Sequence, residues 1–307
     1  LKRKNLRQPK RKLIHGIGWA TALILLVATT YLFFLVPDAA STLDEIHEPV
    51  ARDLSIKRTE KVILEEKKPI SVLLLGVDER EDDRGRSDTI IVLTINPAKE
   101  SIKMVSIPRD TYTEIVGYGI SDKINHAYAF GGMVMSMESV ENLLDIPIDY
   151  AVQVNMEGFQ AMVDAVGGIT VDNPIAFEEF KLGEQTINGE QALYYVQMRK
   201  QDPNGDFGRQ DRQKQVIKSI LDKTASANSL FNYKEILNAL GDNIKTSISF
   251  GELLEVQKNY RNAVKTIDQI YFENGTGEIR NKIWYYQMDP EELEEVQLTL
   301  KNHLEIK

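Results

Sequence analysis

Three polar clusters interrupt an otherwise apolar pattern, and each carries residue types suited to a charged ligand. The first is Gly76-Val77-Asp78-Glu79-Arg80, followed by Arg84-Gly85-Arg86-Ser87-Asp88. A strand ending at Val77 delivers Asp78 at its C-terminal edge, where open α/β sheets place their ligands. The loop then returns to Asp88 at the start of the next apolar run. Two aspartates at neighbouring strand ends can share one hard cation. Mg²⁺ takes one or two carboxylates and fills its shell with water and phosphate oxygens. A solvated charged turn is the alternative.

The second cluster is Ser106-Ile107-Pro108-Arg109-Asp110-Thr111-Tyr112. Arg109 follows an apolar run and a rigid proline, and its planar fork can give a phosphate two parallel hydrogen bonds. A surface pair with Asp110, worth little, is the competing reading. Nearby, Lys123-Ile124-Asn125-His126-Ala127-Tyr128 is a further polar break, in which the lone His126 reads as structural.

The third and densest cluster runs from Gln197 to Gln213. Pro203-Asn204-Gly205 makes a turn and Asp206 caps a helix. Arg209, Arg212 and Gln213 then stand at i, i+3 and i+4 on one helical face. Val216 and Ile220 continue that stripe towards the core, so the arginine face points inward. Arginine is rarely buried without an anion, and helix N-termini attract anions themselves. The expected partner is a multiply charged anion; internal pairs with Asp206 and Asp211 are the alternative.

The elements that must position these residues alternate between strand and helix. Ile70–Val77 (ISVLLLGV) and Thr89–Ile95 (TIIVLTI) are nearly continuous apolar runs, as in strands covered on both faces. Asn96-Pro97 breaks the second, and Ser101–Ile107 alternates like a return strand. Met133, Val134, Met137, Val140 and Leu144 recur at helical spacing, as do Phe159, Met162, Val163 and Val166 before Gly167-Gly168. Ile148–Val154, Ile169–Val171 and Ile283–Met288 read as strands. A helix is expected over Gly208–Lys223, another behind the capping box Ser249-x-x-Glu252, and a last one behind Asp289-Pro290. This alternation predicts a layered α/β domain over residues 68–307.

The chain has 307 residues and no cysteine, which excludes disulfides and cysteine-based zinc sites. His15, His47, His126 and His303 are too scattered for a multi-histidine metal site. Net charge is −9, and removing the seven Lys/Arg of residues 1–12 takes it to −16 for the rest. Such an acidic domain repels nucleic-acid phosphates, so no nucleic-acid partner is expected. From Gly16 to Val36 the chain carries no charge, enough to cross a hydrocarbon core of roughly 30 Å at about 1.5 Å per residue. The basic arm precedes this run and Pro37-Asp38 follow it. The positive-inside rule puts residues 1–12 in the cytoplasm and the remainder outside the cell membrane. Residues 13–36 are thus expected to be one N-terminal transmembrane helix and residues 37–67 an extracellular stem. A cleaved signal peptide is the alternative, for which Ala39-Ala40 is a poor site.

Taken together and in order, GVDER, GRSDT, SIPRDTY, DKINHAYAFGG, VGGITV and DFGRQDRQKQVI resemble the signature blocks of the LytR-CpsA-Psr family across roughly residues 68–225. Each block alone is weak; the ordered set is specific, and it is most similar to the family's Gram-positive teichoic-acid transferases. The resemblance implies a central mixed β-sheet between helices, an α/β/α sandwich with an apolar tunnel for a lipid tail. It implies transfer of a phosphate-linked glycopolymer from a polyprenyl pyrophosphate to the MurNAc 6-hydroxyl of peptidoglycan, releasing polyprenyl phosphate. By the same resemblance Asp78 and Asp88 hold Mg²⁺, or Mn²⁺ in its place. Arg80, Arg109, Arg199, Arg209 and Gln213 contact the pyrophosphate or support its site, and Arg86 and Arg212 lie in the same motifs. Asp88 and Arg109 are the expected catalytic residues, Asp88 as the base, although a cationic site makes it a weak one. Many relatives carry Arg-x-Arg where this chain has Gln197-Met198-Arg199, a departure that removes one charge. An envelope pyrophosphatase and a non-catalytic lipid-binding regulator are the competing functions.

Overall fold

The computed structural model describes residues 47–78 (without 49 and 51–54), 85–225 and 241–306. The basic arm, the apolar run 16–36 and Arg80 lie outside the described residues. No described helix is long and apolar enough to cross a membrane.

In chain order the strands are β1 (Ile70–Val77), β2 (Ser87–Asn96), β3 (Ser101–Ser106), β4 (Tyr112–Ile115), β5 (Ile120–Lys123), β6 (Tyr150–Val154), β7 (Ile169–Asn173), β8 (Gly183–Ile187), β9 (Ile244–Thr246), β10 (Thr266–Ile270), β11 (Thr276–Arg280) and β12 (Ile283–Gln287). The α-helices are α1 (His126–Leu144), α2 (Met156–Ala165), α3 (Gly189–Gln197), α4 (Asp206–Ala225), α5 (Phe250–Tyr260) and α6 (Pro290–Leu304). Six strands form one sheet in the order β10-β3-β2-β1-β6-β9. β1 is antiparallel to β2 and parallel to β6, so the sheet is mixed.

The apolar runs are explained by what covers them. Side chains alternate across a strand, and both faces of this sheet are packed. Leu73, Leu75 and Val77 of β1 join Met133, Met137 and Val140 of α1 and Val296, Leu300 and Leu304 of α6. Ile70 and Val72 face the other way, with Ile91 and Leu93 of β2, Ile102 and Met104 of β3, and Tyr260 of α5. A third core binds α2, α3, α4 and the β7–β8 hairpin through Val163, Ile169, Phe177, Phe180, Tyr195 and Val216.

The capping box at Ser249 and the Asp289 cap with proline behind it both form as expected. The part of the expected stem that is described packs on the domain. Leu64 is buried. Arg58 donates Nε to Oδ1 and Nη2 to Oδ2 of Asp149 at 2.8 and 2.7 Å, a largely buried pair. Lys57 reaches Asp145, which also holds Lys301. Glu48 N donates to Thr246 O on β9 at 2.9 Å. A boundary at residue 68 therefore falls inside a packed segment.

Candidate functional site

The site sits where β1 ends and β2 begins. In the β1–β2 ladder Gly76 pairs with Thr89 but Val77 pairs with Ser87, so Asp88 is an extra, unpaired residue. A bulge of this kind re-aims a side chain, and here it turns Asp88 into the same cleft as Asp78. Glycine at 76 is required by the close approach. A Cβ there would lie 2.9 Å from Thr89 Cβ.

Arg109 follows β3 and Pro108. Its Nη1 lies 3.0 Å from Asp88 Oδ2 and its Nε 3.6 Å from Asp110 Oδ2. Asp110 is shared with Lys123 Nζ at 2.6 Å. Asn125 donates Nδ2 to Asp88 Oδ1 at 3.3 Å, and its amide reaches Arg109 O. The β4–β5 hairpin thus folds back over the strand ends and closes a cleft of about 360 Å³ that also includes Arg86 and His126.

Helix α4 brings the third cluster against the second. A narrow crevice joins Asp88 and Arg109 to Asp206, Arg209, Gln210 and Gln213. Arg209 Nη2 meets Asp206 Oδ1 at 2.7 Å, while Arg199, mostly exposed, lies 3.8 Å from the same oxygen. Burial pushes the Arg209 guanidinium down from its ordinary range, and repulsion from Arg199 and Arg109 adds to this. Its Nε is buried without a hydrogen-bond partner. Three guanidinium groups therefore converge on one spot, and a buried donor there awaits an acceptor.

Arg212 corrects the expectation for that helix. Successive residues are about 100° apart around a helix, so Arg212 and Gln213 cannot share a direction. Gln213 faces the crevice, whereas Arg212 is 1 % exposed and turned towards α3. It donates to Tyr195 O, Met198 O and Asp202 Oδ2, between the rings of Phe177 and Tyr195. The internal ion pair is the correct reading at this residue, with Asp202 as partner. Gly208 leaves room for that carboxylate, since a Cβ there would overlap it at 1.9 Å. Asp211 instead accepts from the Tyr271 hydroxyl. Gln197 is exposed and turns its amide towards Met156 Sδ at 3.9 Å, so it does not stand in for a site arginine.

The donor set suits a hard cation that takes most of its shell from elsewhere. Asp78 and Asp88 offer carboxylate oxygens in one cleft. Among the described residues no group of three or more Asp, Glu, His or Cys could hold a metal alone. Mg²⁺ fits such a pair because water and phosphate oxygens supply its remaining ligands.

Sequence reasoning missed Asp110–Lys123 and Asp122–His126. Tyr112–Ile115 and Ile120–Lys123 are short and mostly polar, so no strand pattern announced the hairpin that assembles them. The available signal was the glycine-rich Val116-Gly117-Tyr118-Gly119 turn, with positive φ at both glycines.

A mixed sheet covered on both faces, carrying paired carboxylates at its strand ends and arginines on an adjoining helix, defines an α/β protein whose site is built for a charged ligand. The LytR_cpsA_psr family matches residues 33–302, and the chain belongs to it. It is 46 % identical over 307 residues to the polyisoprenyl-teichoic acid–peptidoglycan teichoic acid transferase TagU of Bacillus subtilis strain 168, covering 99 % of each. The crystal structure of B. subtilis TagU superposes with a TM-score of 0.64, over 78 % of this chain and 99 % of that one. TagT bound to LI-WTA, 31 % identical, gives 0.72 over 85 % and 100 %.

Proposed function

We propose that this protein transfers a phosphate-linked anionic glycopolymer, wall teichoic acid in the first instance, from a polyprenyl-pyrophosphate carrier to the MurNAc 6-hydroxyl of peptidoglycan, releasing polyprenyl phosphate. The observation that carries the reading is the convergence of Arg109, Arg199 and Arg209 beside the Asp78–Asp88 cleft. Family membership and the names of the TagU relatives support it. The uncharged run 16–36 behind a basic arm supports a retained anchor with the domain outside the cell membrane, where carrier and acceptor meet.

On this reading the chain positions the reactants and stabilises charge, which is the usual strategy of phosphoryl transfer. Arg109 and Arg209 bind the pyrophosphate oxygens, exchanging Asp88 and Asp206 for a more highly charged partner. Gln213 can donate to the same group from one turn further along α4. Arg199 closes over it from the loop before α4, and Arg86 faces it from the loop before β2. Mg²⁺ held by Asp78 and Asp88 would neutralise phosphate charge. Arg212 supports the loop that carries Arg199.

The test uses the full chain with a short polyprenyl-pyrophosphate glycan, peptidoglycan oligomers and Mg²⁺, read by mass spectrometry. A phosphodiester-linked product is expected. Arg109→Ala should lower its rate by about 10²–10³-fold with the fold intact. Free glycan phosphate formed without linkage would make the protein a pyrophosphatase. Tight donor binding with no turnover would make it a lipid-binding regulator.

A further inference from the structure

One side chain that lines the cleft, His126, is paired with a carboxylate behind it. His126 opens α1 just behind β5, and its Nδ1 lies 2.8 Å from Asp122 Oδ2. Asp122 is itself fixed, because its Oδ1 accepts from the Lys123 amide at 2.8 Å and the Tyr285 hydroxyl at 3.2 Å. Burial alone would raise the Asp122 carboxyl. The hydrogen bonds from His126 and the Lys123 amide outweigh it and hold the group below its ordinary range. An ionised carboxylate against Nδ1 places the proton of a neutral imidazole there and leaves Nε2 as the ring's acceptor. The ring also packs edge-on to Phe130 at 6.0 Å, and Phe130 stacks on Tyr118 at 4.2 Å, so its plane is set from a second side. His126 lines the same cleft as Asp78, Asp88 and Arg109.

The reaction proposed above needs a group to accept the proton of the attacking hydroxyl. Asp88 is poorly placed for that, since Arg109 and Asn125 engage its two oxygens at rest at 3.0 and 3.3 Å, and once the donor displaced Arg109 the same carboxylate would be taken up by the divalent cation. A carboxylate-oriented imidazole beside a phosphate-binding site has the geometry of a general base. We propose that His126 is that base and that Asp122 is its positioning residue. The inference rests on the transferase reading only for the identity of the nucleophile.

His126 Nε2 takes the hydroxyl proton while the hydroxyl oxygen bonds the phosphorus nearer the glycan. The bridging P–O bond breaks, and its electron pair leaves on the polyprenyl phosphate. The imidazolium then returns its proton to that phosphate or to water. The other charged groups facing this space are Asp78, Arg86, Asp88, Arg109, Asp110 and Lys123, with Tyr285 reaching Asp122 from β12.

The test compares the full-length wild type with His126→Ala, His126→Gln and Asp122→Asn, with and without acceptor. Both His126 variants should lose about 10²–10⁴-fold in transfer rate, keep donor affinity within about threefold, and show the wild-type thermal midpoint. Added imidazole should restore part of the His126→Ala rate and none of the His126→Gln rate, where the side chain fills the space. Asp122→Asn should lower kcat and leave the donor KM unchanged. If the wild type only hydrolyses the donor, the transferase reading fails while the same rescue still tests His126, now against water. Wild-type rates in the His126 variants would overturn the proposal. So would a loss that imidazole does not restore and that tracks weakened donor binding.

Discussion

Replacing Arg212 separates the two roles that its motif allows. In Arg212→Met the guanidinium disappears from a site that is 1 % exposed, while Asp202, whose side chain is 4 % exposed, keeps its charge. Removing one partner of a buried ion pair costs about 3–5 kcal/mol, because the other is left uncompensated. The carbonyls of Tyr195 and Met198 also lose their donors, although methionine keeps much of the packing against Phe177. A total of about 4 kcal/mol is expected, which for a domain of this size lowers the thermal midpoint by roughly 8–16 °C. Adding Asp202→Asn removes the orphaned charge and should return about 2 kcal/mol of that loss, the coupling seen between contacting groups. The assay is thermal unfolding of the full chain in detergent, with donor affinity measured below the transition. Affinity should stay within about threefold for the molecules that remain folded. A loss of less than about 1 kcal/mol, or a tenfold weaker donor affinity at unchanged stability, would return Arg212 to the anion site and refute the assignment.

Other residues give equally definite expectations. Gly76→Ala forces a Cβ to within 2.9 Å of Thr89 Cβ; overpacking of this kind costs about 1–3 kcal/mol, and a shifted bulge should lower the transfer rate more than the stability loss explains. His303 is buried between the hydroxyls of Thr94 and Ser101, and burial lowers it from 6.5 to about 4. The unfolded chain therefore binds a proton on this residue below about pH 6.5 that the folded chain refuses until about pH 4. Stability should fall as the pH drops through that window, by roughly 3 kcal/mol at most; urea titrations should show a flatter pH slope for His303→Gln than for the wild type. A chain that starts at residue 68 lacks Arg58 and leaves Asp149 without its cationic partner, keeping the hydrogen bonds from Ser71, so it should unfold about 3 kcal/mol more easily than one starting at residue 47.

The fold was legible where burial on both faces left a long apolar signature. The strands at Ile70–Val77 and Ser87–Asn96, and the helices with caps at Ser249 and Asp289, stand within a few residues of their expected bounds. The hairpin β4–β5 was not legible, and of β7–β8 and β11–β12 only β7 and β12 were expected from the sequence, because none of these hairpins belongs to the main sheet and their exposed faces break the apolar alternation. The site was legible as chemistry and not as geometry. Asp78, Asp88 and Arg109 could be named from residue type and strand position. The bulge that turns Asp88 inward depends on a register shift that only pairing with β1 creates. The same limit explains Arg212. Helical spacing grouped it with Arg209 and Gln213, and only the packing of α3 against α4 shows that Asp202 is its partner.

This arrangement also explains how an acidic protein would maintain the polyanion site that the proposed function requires. Arg109 is held by Asp88 and Asp110, Arg209 and Arg199 share Asp206, and Lys123 is held by Asp110. These four cations are thus paired locally when no donor is bound, which limits repulsion among the three arginines. On the proposed function, binding a pyrophosphate would be an exchange of partners. The carboxylates that balance the arginines at rest would be displaced by a ligand of higher charge, leaving Asp88 available to a divalent cation. Cation and donor should therefore bind with positive coupling, because each relieves the pairing that opposes the other.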